Sequence, residues 1–272
     1  MMSEKRVALS GAAGNLGKIL RKRLPEQGYY LRSAGGKSPL VPGYAGEDLT
    51  HGDLRDPEVV DQLLNGMDVL VHMAGTSVER PLQEIIDNNL IALREVYDGA
   101  RRHGVKRVIF ASSNHAFGMH SVDTKLRGNA AYRPDGFYGL SKMWGEGMAR
   151  MYWDKHGIES VCVRIGSGSD EPPTNRRQLS TWLGEADLVQ LIRRAIDAPS
   201  TGYTEVWGIS NNTRAFYDIA EENSIGYVPA LNAEAWASQV EHIPPHADPT
   251  ASLFQGGAFV IEDYTSPTSP RA

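Results

Sequence analysis

The chain has 272 residues, a hydrophobic content of 41% and a formal net charge of −5 at pH 7. This length fits one large α/β domain or one domain with a small appendage, and the acidic balance gives no reason to expect nucleic acid or an anionic membrane as a partner. No apolar run approaches 18 residues, so we expect neither a membrane span nor a signal peptide. The one cysteine, Cys162, cannot form an internal disulfide, which suits a reducing cytoplasm.

Short apolar runs alternate with amphipathic stretches over the first 165 residues. In chain order they predict strands at 7–10, 29–32, 69–73, 107–111 and 161–165, and helices after the first glycine loop to about 27, at 57–66, at about 81–103 and at 139–156. A presumed third strand precedes Asp53. This alternation is typical of an α/β protein with a Rossmann-type, doubly wound parallel sheet, whose ligands bind at the carboxyl ends of the strands.

The composition becomes more irregular after residue 165. We expect residues 1–165 to form a dinucleotide-binding Rossmann core and residues 166–272 to form a small substrate-side cap of the same domain. Two helices, at about 185–197 and 232–241, and a short strand at 205–207 are predicted there. The tail from about residue 265 is rich in Pro, Ser and Thr, and we expect it to be mobile.

A glycine loop follows the first strand and opens the first helix. Its spacing, GxxGxxG, allows a tight turn and a close approach of the backbone to a pyrophosphate at a helix N-terminus. We therefore expect Gly11, Gly14, Asn15, Leu16 and Gly17 to contact a dinucleotide. Asp53 and Leu54 should lie near the adenine, and Ala74 and Gly75 near a ribose.

The end of the second strand bears on the choice between NAD and NADP. An NAD site usually has an acidic residue there, yet the sequence has none between Gln27 and Glu47. The stretch instead offers Arg32, Ser33 and Lys37, and a cation and a hydroxyl there could accept a 2′-phosphate. The alternative is that the charges are solvated, and the sequence leaves both cofactors open.

Tyr138 and Lys142 stand four residues apart on a predicted helix, and Ser113 directly follows a predicted strand. Residues i and i+4 share one helix face, so both side chains can point into one cleft. A lysine ammonium favours the phenolate, which should lower the tyrosine pKa from its usual value of about 10. A serine can hold the reacting oxygen beside it. With the glycine loop, this set predicts hydride transfer between a nicotinamide and a hydroxyl or carbonyl carbon.

The whole chain resembles the extended short-chain dehydrogenases, and within them the bacterial uronate dehydrogenases. The narrower segments are Phe110-Ala111-Ser112-Ser113-Asn114-His115, Arg133-Pro134-Asp135-Gly136-Phe137-Tyr138-Gly139, Val163-Arg164-Ile165-Gly166-Ser167 and Leu179-Ser180-Thr181-Trp182. The resemblance implies oxidation of C1 of cyclic glucuronate or galacturonate to an aldarolactone with NAD. It also suggests a homo-oligomer.

The resemblance also implies roles for individual residues. Tyr138 corresponds to the base, Lys142 to its partner and Ser113 to the serine that holds the reacting oxygen. Arg177 corresponds to the arginine that binds the uronate carboxylate. The other implied substrate contacts are Ser77, Asn114, His115 and Ser167, and the other implied cofactor contacts are Asn89 and Ile165.

The chain departs from the family pattern at two positions. Gly35 stands where the family has its acidic residue after the second strand, and Gly168 stands where a cysteine is common. The first departure leaves NADP possible. The second lies near the expected nicotinamide position and could affect how the cofactor fits.

Other functions share parts of this pattern. An aldose dehydrogenase for neutral sugars would leave Arg177 without its carboxylate partner. A nucleotide-sugar epimerase or dehydratase usually has a longer C-terminal half. A redox sensor that binds NAD(P) without turnover would not need both Tyr138 and Lys142. The histidines show no metal-ligand spacing, so we expect no metal site.

Overall fold

The computed structural model describes residues 4–36, 40–219 and 224–264. The strands are β1 (Arg6–Ser10), β2 (Tyr30–Ala34), β3 (Asp48–Thr50), β4 (Val69–His72), β5 (Arg107–Ser113), β6 (Glu159–Ile165), β7 (Ser167–Ser169), β8 (Trp182–Gly184) and β9 (Tyr203–Gly208). The α-helices are α1 (Asn15–Arg23), α2 (Pro57–Leu64), α3 (Leu82–Ile85), α4 (Ala92–Arg102), α5 (Phe137–His156), α6 (Gln178–Thr181), α7 (Glu185–Asp197) and α8 (Ala237–Val240).

The main sheet is parallel, and its strand order is β3-β2-β1-β4-β5-β6-β9. Apolar residues of α1 and α7 pack on one face, and apolar residues of α2, α4 and α5 pack on the other. The central strands β1, β4, β5 and β6 are almost fully buried, as expected when helices cover both faces of a parallel sheet. The prediction of a doubly wound Rossmann-type sheet is therefore confirmed.

Several element boundaries differ from the sequence-based expectation. The helix predicted from 139 begins at Phe137, and the long helix predicted at 81–103 contains a wider π-helical turn at Ile86–Ile91. The helix expected at 232–241 is a 3-10 turn, Ala233–Trp236, followed by α8. The small parallel pair β7–β8 was not predicted, because three-residue strands carry almost no periodic signal.

Two other predictions concern the chain as a whole. The division into a core up to residue 165 and a cap beyond it stays a prediction, and the expected mobile tail lies outside the described residues. Cys162 is fully buried on β6, as its apolar neighbours indicated. No helix in the described ranges is long and apolar enough to cross a membrane.

The parallel arrangement brings four loops to one edge of the sheet. Gly11 follows β1, Met73 follows β4, Ser113 ends β5 and Gly166 follows β6. Because neighbouring parallel strands end at the same edge, segments more than 150 residues apart in sequence line one cleft.

Candidate active site

The glycine turn after β1 has no room for side chains. Gly11 has a φ of +71°, and a Cβ there would lie 2.5 Å from the Ala74 backbone nitrogen. A Cβ on Gly17 would lie 2.0 Å from the Gly11 carbonyl oxygen. The turn is closed by a 2.9 Å hydrogen bond from the Gly14 N–H to the Gly11 oxygen, and α1 begins at the next residue. Free N–H groups at a helix N-terminus fit a dinucleotide pyrophosphate.

Two neighbouring cavities meet at this turn, and both are lined by Gly11, Gly14, Met73 and Gly75. The first has a volume of about 420 Å³ and is also lined by Gly35, Asp53, Leu54 and Ala74. The second has a volume of about 580 Å³ and is also lined by Asn15, Leu16, Gly17, Ser77, Ser113, His115, Tyr138, Lys142, Ile165, Ser167 and Arg177. The first therefore suits the adenosine half of a dinucleotide, and the second suits the nicotinamide half together with a substrate.

Tyr138 and Lys142 lie on one face of α5, as their spacing predicted. The Lys142 Nζ donates a 2.8 Å hydrogen bond to the Ala111 carbonyl oxygen and lies 5.5 Å from the centre of the Tyr138 ring. Ser113 ends β5, and its Oγ accepts a 3.1 Å hydrogen bond from the His115 N–H. The three side chains line the same cavity.

The expected lowering of the Tyr138 pKa is wrong for this cleft. Burial raises the pKa of Tyr138 to about 12, a hydrogen bond from Ser113 opposes the rise, and the charge of Asp135 adds to it. Burial also lowers the pKa of Lys142 to about 8. Both groups are thus held in a medium that disfavours their charged forms. Such opposed shifts in one cleft are typical of functional sites.

His115 is held on two sides. Its Nδ1 lies 2.6 Å from Oδ2 of Asp135, and its ring stacks on Phe259 with the centres 3.9 Å apart. The Tyr138 ring lies 5.7 Å away. Phe259 comes from the turn Gly257–Ile261 and lines the cleft, although no periodic or motif signal in the sequence singled it out.

Arg177 lies at the far end of the same cavity. Its Nε donates to the Gln255 carbonyl oxygen at 2.6 Å, and one terminal nitrogen is 3.4 Å from the Ser167 Oγ. The other terminal nitrogen, Nη2, is buried without a hydrogen-bond partner among the described residues. Burial lowers the pKa of Arg177. An anion would supply the missing acceptor.

The two residues on β2 that were predicted to accept a 2′-phosphate have other surroundings in the structure. The Arg32 guanidinium donates to Asp48 at 2.6 Å and to carbonyl oxygens at the end of α2, including those of Gln62 and Asn65. Ser33 is fully buried. Neither residue is among those that line the two cavities at the glycine turn, and their role in cofactor binding stays a prediction. Lys37 lies outside the described residues.

Asn89 and Asn114 are also buried behind the cavity walls. The Asn89 amide exchanges hydrogen bonds with the Thr76 backbone at 2.7 and 3.0 Å and donates to the Ser141 Oγ at 2.9 Å. The Asn114 amide donates to the Tyr217 hydroxyl at 3.0 Å. Their polar groups hold loops together in this structure, and their roles as direct ligand contacts stay predictions.

Gly168 lines the second cavity, in agreement with its expected position. A Cβ there would lie 2.9 Å from a methyl group of Leu16. A larger residue would therefore push against a cofactor-side residue of α1. Among the described residues, no cluster of His, Cys, Asp or Glu has the geometry to hold a metal ion.

The sheet order, the glycine turn and the Tyr/Lys pair define a dinucleotide-dependent oxidoreductase of the short-chain type. Residues 7–220 match the family described as the NAD dependent epimerase/dehydratase family. A uronate dehydrogenase of Pseudomonas putida is 44% identical over 259 residues, which cover 94% of this chain and 96% of that protein.

Two solved structures are similar over nearly the whole chain. One is a uronate dehydrogenase mutant from Agrobacterium tumefaciens complexed with NAD, with a TM-score of 0.89, 41% identity and coverage of 95% of this chain and 97% of that chain. The other is a glucuronic acid dehydrogenase from Chromohalobacter salexigens, with a TM-score of 0.88, 36% identity and coverage of 94% and 96%. The chain therefore belongs to the NAD dependent epimerase/dehydratase family and, within it, to the uronate dehydrogenase group.

We expect Lys142→Met to make the protein more stable at neutral pH. At pH 7 the lysine is charged in the folded and the unfolded protein, so the folded state bears the cost of burying an ammonium. Its removal should stabilise the protein by roughly 3 kcal/mol. Between about pH 8 and 10.5 the unfolded chain binds more protons than the folded one, so wild-type stability should rise with pH. That rise should be absent in the variant.

Urea unfolding of both proteins at pH 7, 8, 9 and 10 measures these effects. Lys155→Met, at the exposed end of the same helix, is the control and should change neither the stability nor its pH dependence. A Lys142→Met protein less stable than wild type would contradict the expected sign.

Proposed function

We propose that this protein is a uronate dehydrogenase that oxidises C1 of cyclic glucuronate or galacturonate to the aldarolactone, with NAD as the cofactor. The observation that carries the substrate class is Arg177, whose buried Nη2 has no acceptor within the described chain. A uronate carboxylate at the end of the cavity would accept from it. The membership of the family supports the reaction and NAD.

In this proposal Ser113 and Tyr138 hold the C1 hydroxyl, and Tyr138 accepts its proton as C1 becomes the lactone carbonyl carbon. When bound, NAD supplies the hydride acceptor and, in its oxidised form, a positive charge. Only the phenolate form of Tyr138 can accept this proton, and because burial raises the pKa of Tyr138 to about 12, that form needs positive charge nearby at neutral pH. Lys142 provides a second cation on the same helix face. General-base help of this kind contributes roughly 10²–10⁴-fold.

Arg177 fixes the opposite end of the sugar. With its Nε held by Gln255 and one terminal nitrogen beside Ser167, the guanidinium is oriented before the substrate binds. A preoriented cation loses little conformational entropy on binding, so it positions C1 beside Tyr138 effectively. A neutral sugar would leave the buried charge unpaired.

The first test pairs glucuronate, galacturonate, glucose, galactose and arabinose with NAD and with NADP, and follows the absorbance of the reduced nicotinamide. We expect turnover of the uronates with NAD. Arg177→Met should lower kcat/KM for uronates by roughly 30- to 5000-fold, since truncating a buried charge partner costs about 2–5 kcal/mol.

Arg176→Met is the matched control, because Arg176 is the exposed neighbour outside the second cavity, and it should keep wild-type turnover. Turnover of neutral sugars with none of the uronates would replace the proposal with an aldose dehydrogenase. A strong preference for NADP would contradict the cofactor assignment.

Tyr138→Phe should abolish turnover while preserving NAD binding, because it removes only the hydroxyl that accepts the proton. Tyr152→Phe on the same helix is the control, since the Tyr152 hydroxyl donates to Asp98 at 2.7 Å and does not line the cavity. Steady-state rates and a fluorescence titration with NADH separate the two effects. Turnover by Tyr138→Phe within tenfold of wild type would exclude Tyr138 as the base.

We propose that the protein forms a homo-oligomer through the outer face of α5. Phe137, Leu140, Trp144 and Met151 are between 38% and 49% exposed and follow helical spacing along this helix. Such an apolar stripe is typical of a protein–protein contact. Light scattering should give a mass above 29.8 kDa, and Trp144→Glu should lower it. A monomeric wild type would exclude this proposal.

We also propose a cytoplasmic location for the enzyme. Cys162 is fully buried and unpaired within the described chain, which fits a reducing compartment without requiring it. Cell fractionation with an antibody to the protein checks the location, and recovery outside the cytoplasm would contradict it.

A further inference from the structure

The segment Arg133-Pro134-Asp135-Gly136 leads into α5 but has no part in the proposed reaction. Asp135 nevertheless has an unusual environment. Its carboxylate is fully buried, and its Oδ2 lies 2.6 Å from Nδ1 of His115. Its other oxygen, Oδ1, has no hydrogen-bond partner among the described residues. His115 is thus the one hydrogen-bond partner found for this carboxylate in the described chain.

Glycines enclose this carboxylate on several sides. A Cβ on Gly118 would lie 1.9 Å from Oδ2, and a Cβ on Gly256 would lie 2.1 Å from the same atom. A Cβ on Gly139 would lie 3.0 Å from Oδ1. These glycines belong to the loop after β5, the C-terminal segment and α5. Three backbone segments therefore converge on the carboxylate, which leaves it no room to turn toward another partner.

The contact determines where the imidazole proton sits. A buried carboxylate is costly unless it accepts a hydrogen bond, so the proton between the two groups belongs on Nδ1. A neutral imidazole with its proton on Nδ1 has a lone pair on Nε2, which then accepts a hydrogen bond. Phe259 stacks on the ring and restricts its rotation. The cavity wall thus presents an acceptor of fixed orientation.

We infer that Asp135 is a positioning residue that holds the proton of His115 on Nδ1, so that Nε2 accepts a hydrogen bond from a hydroxyl of the sugar bound beside Tyr138. This inference rests on the proposed function for its substrate and deepens it. His115 lines the cavity, its ring lies 5.7 Å from that of Tyr138, and Asp135 lies behind it. The pair selects a sugar whose ring hydroxyl can donate at that position.

The proton position can be measured on the wild-type protein without turnover. Two-bond ¹H–¹⁵N correlation spectra of protein labelled at histidine distinguish a proton on Nδ1 from one on Nε2. The His115 signal is identified by its loss in His115→Gln. We expect the neutral form of wild-type His115 to carry its proton on Nδ1, and Asp135→Asn to shift the population toward Nε2. A wild-type proton on Nε2 would overturn the inference.

A double-mutant cycle tests whether Asp135 acts through His115. Asp135→Asn keeps the side-chain volume and should lower kcat/KM for uronates about 10- to 100-fold, the range expected for one misdirected buried hydrogen bond. In a His115→Gln background the same change should have almost no effect. Equal losses in both backgrounds would show a merely structural role and overturn the inference.

Two measurements keep folding and function separate. NADH binding and the thermal midpoint show whether the Asp135→Asn protein still folds. Asp98→Asn is the control, because the Asp98 carboxylate lies outside both cavities, and it should leave kcat/KM unchanged. If wild type turns over no uronate while His115 still carries its proton on Nδ1, the proposed function fails and the assignment of the proton stands. If uronates are turned over but Asp135→Asn changes neither the spectrum nor kcat/KM, the inference about Asp135 alone fails.

Discussion

A buried ion pair between Arg164 and Glu146 fixes the geometry on which the active site depends. Arg164 lies on β6 and Glu146 on α5, their side chains are almost inaccessible to solvent, and the nearest nitrogen and oxygen are 2.8 Å apart. Ser112 on β5 and Tyr132 donate to the same carboxylate at 2.5 and 2.6 Å. A buried charge is tolerated only when its hydrogen bonds are satisfied, so α5 has one preferred position against the sheet.

That position matters because neighbouring residues on the same elements line the cavity. Ser113 follows Ser112 on β5, and Lys142 precedes Glu146 by one helical turn on α5. An ion pair that holds the strand against the helix therefore also sets the separation of Ser113 from Tyr138. Burying Lys142 works against stability, as its lowered pKa shows. A residue retained at such a cost is typical of a functional site, whose demands conflict with folding.

Much of this arrangement follows from local sequence signals, and the exceptions have identifiable causes. The glycine loop, the alternating elements and the Tyr138–Lys142 spacing depend on contacts within a few residues, and the structure places them as predicted. The partners of Arg32, Asp48 and the end of α2, could not be predicted from the sequence because they are tertiary neighbours. Asn89 lies in a π-helical turn that a regular helical pattern does not reveal.

The substrate end was the hardest part to predict, because it is assembled from segments without regular periodicity. Phe259 reaches His115 from a 3-10 turn near the C-terminus, and Asp135 is enclosed by backbone from three separate segments. A glycine in the sequence gives no sign that a carboxylate will lie against it. Sequence resemblance pointed to some of the residues that face the cavity, among them His115 and Arg177, but not to Phe259 or to the buried carboxylate behind His115.

The charge pattern around the cleft also favours anionic ligands. The residues that line the second cavity include Lys142 and Arg177 but no carboxylate. An outer groove is lined by one cation, Arg80, and four acidic residues, Glu79, Asp135, Glu262 and Asp263. The charges of Tyr217 and of Asp135, behind the wall, partly offset the effect of burial on the pKa of Arg177. The interior is therefore positive and the neighbouring surface is negative. An electrostatic field of this form favours an anion that enters the cavity over one that binds to the adjacent surface, and both a pyrophosphate and a sugar acid meet that condition.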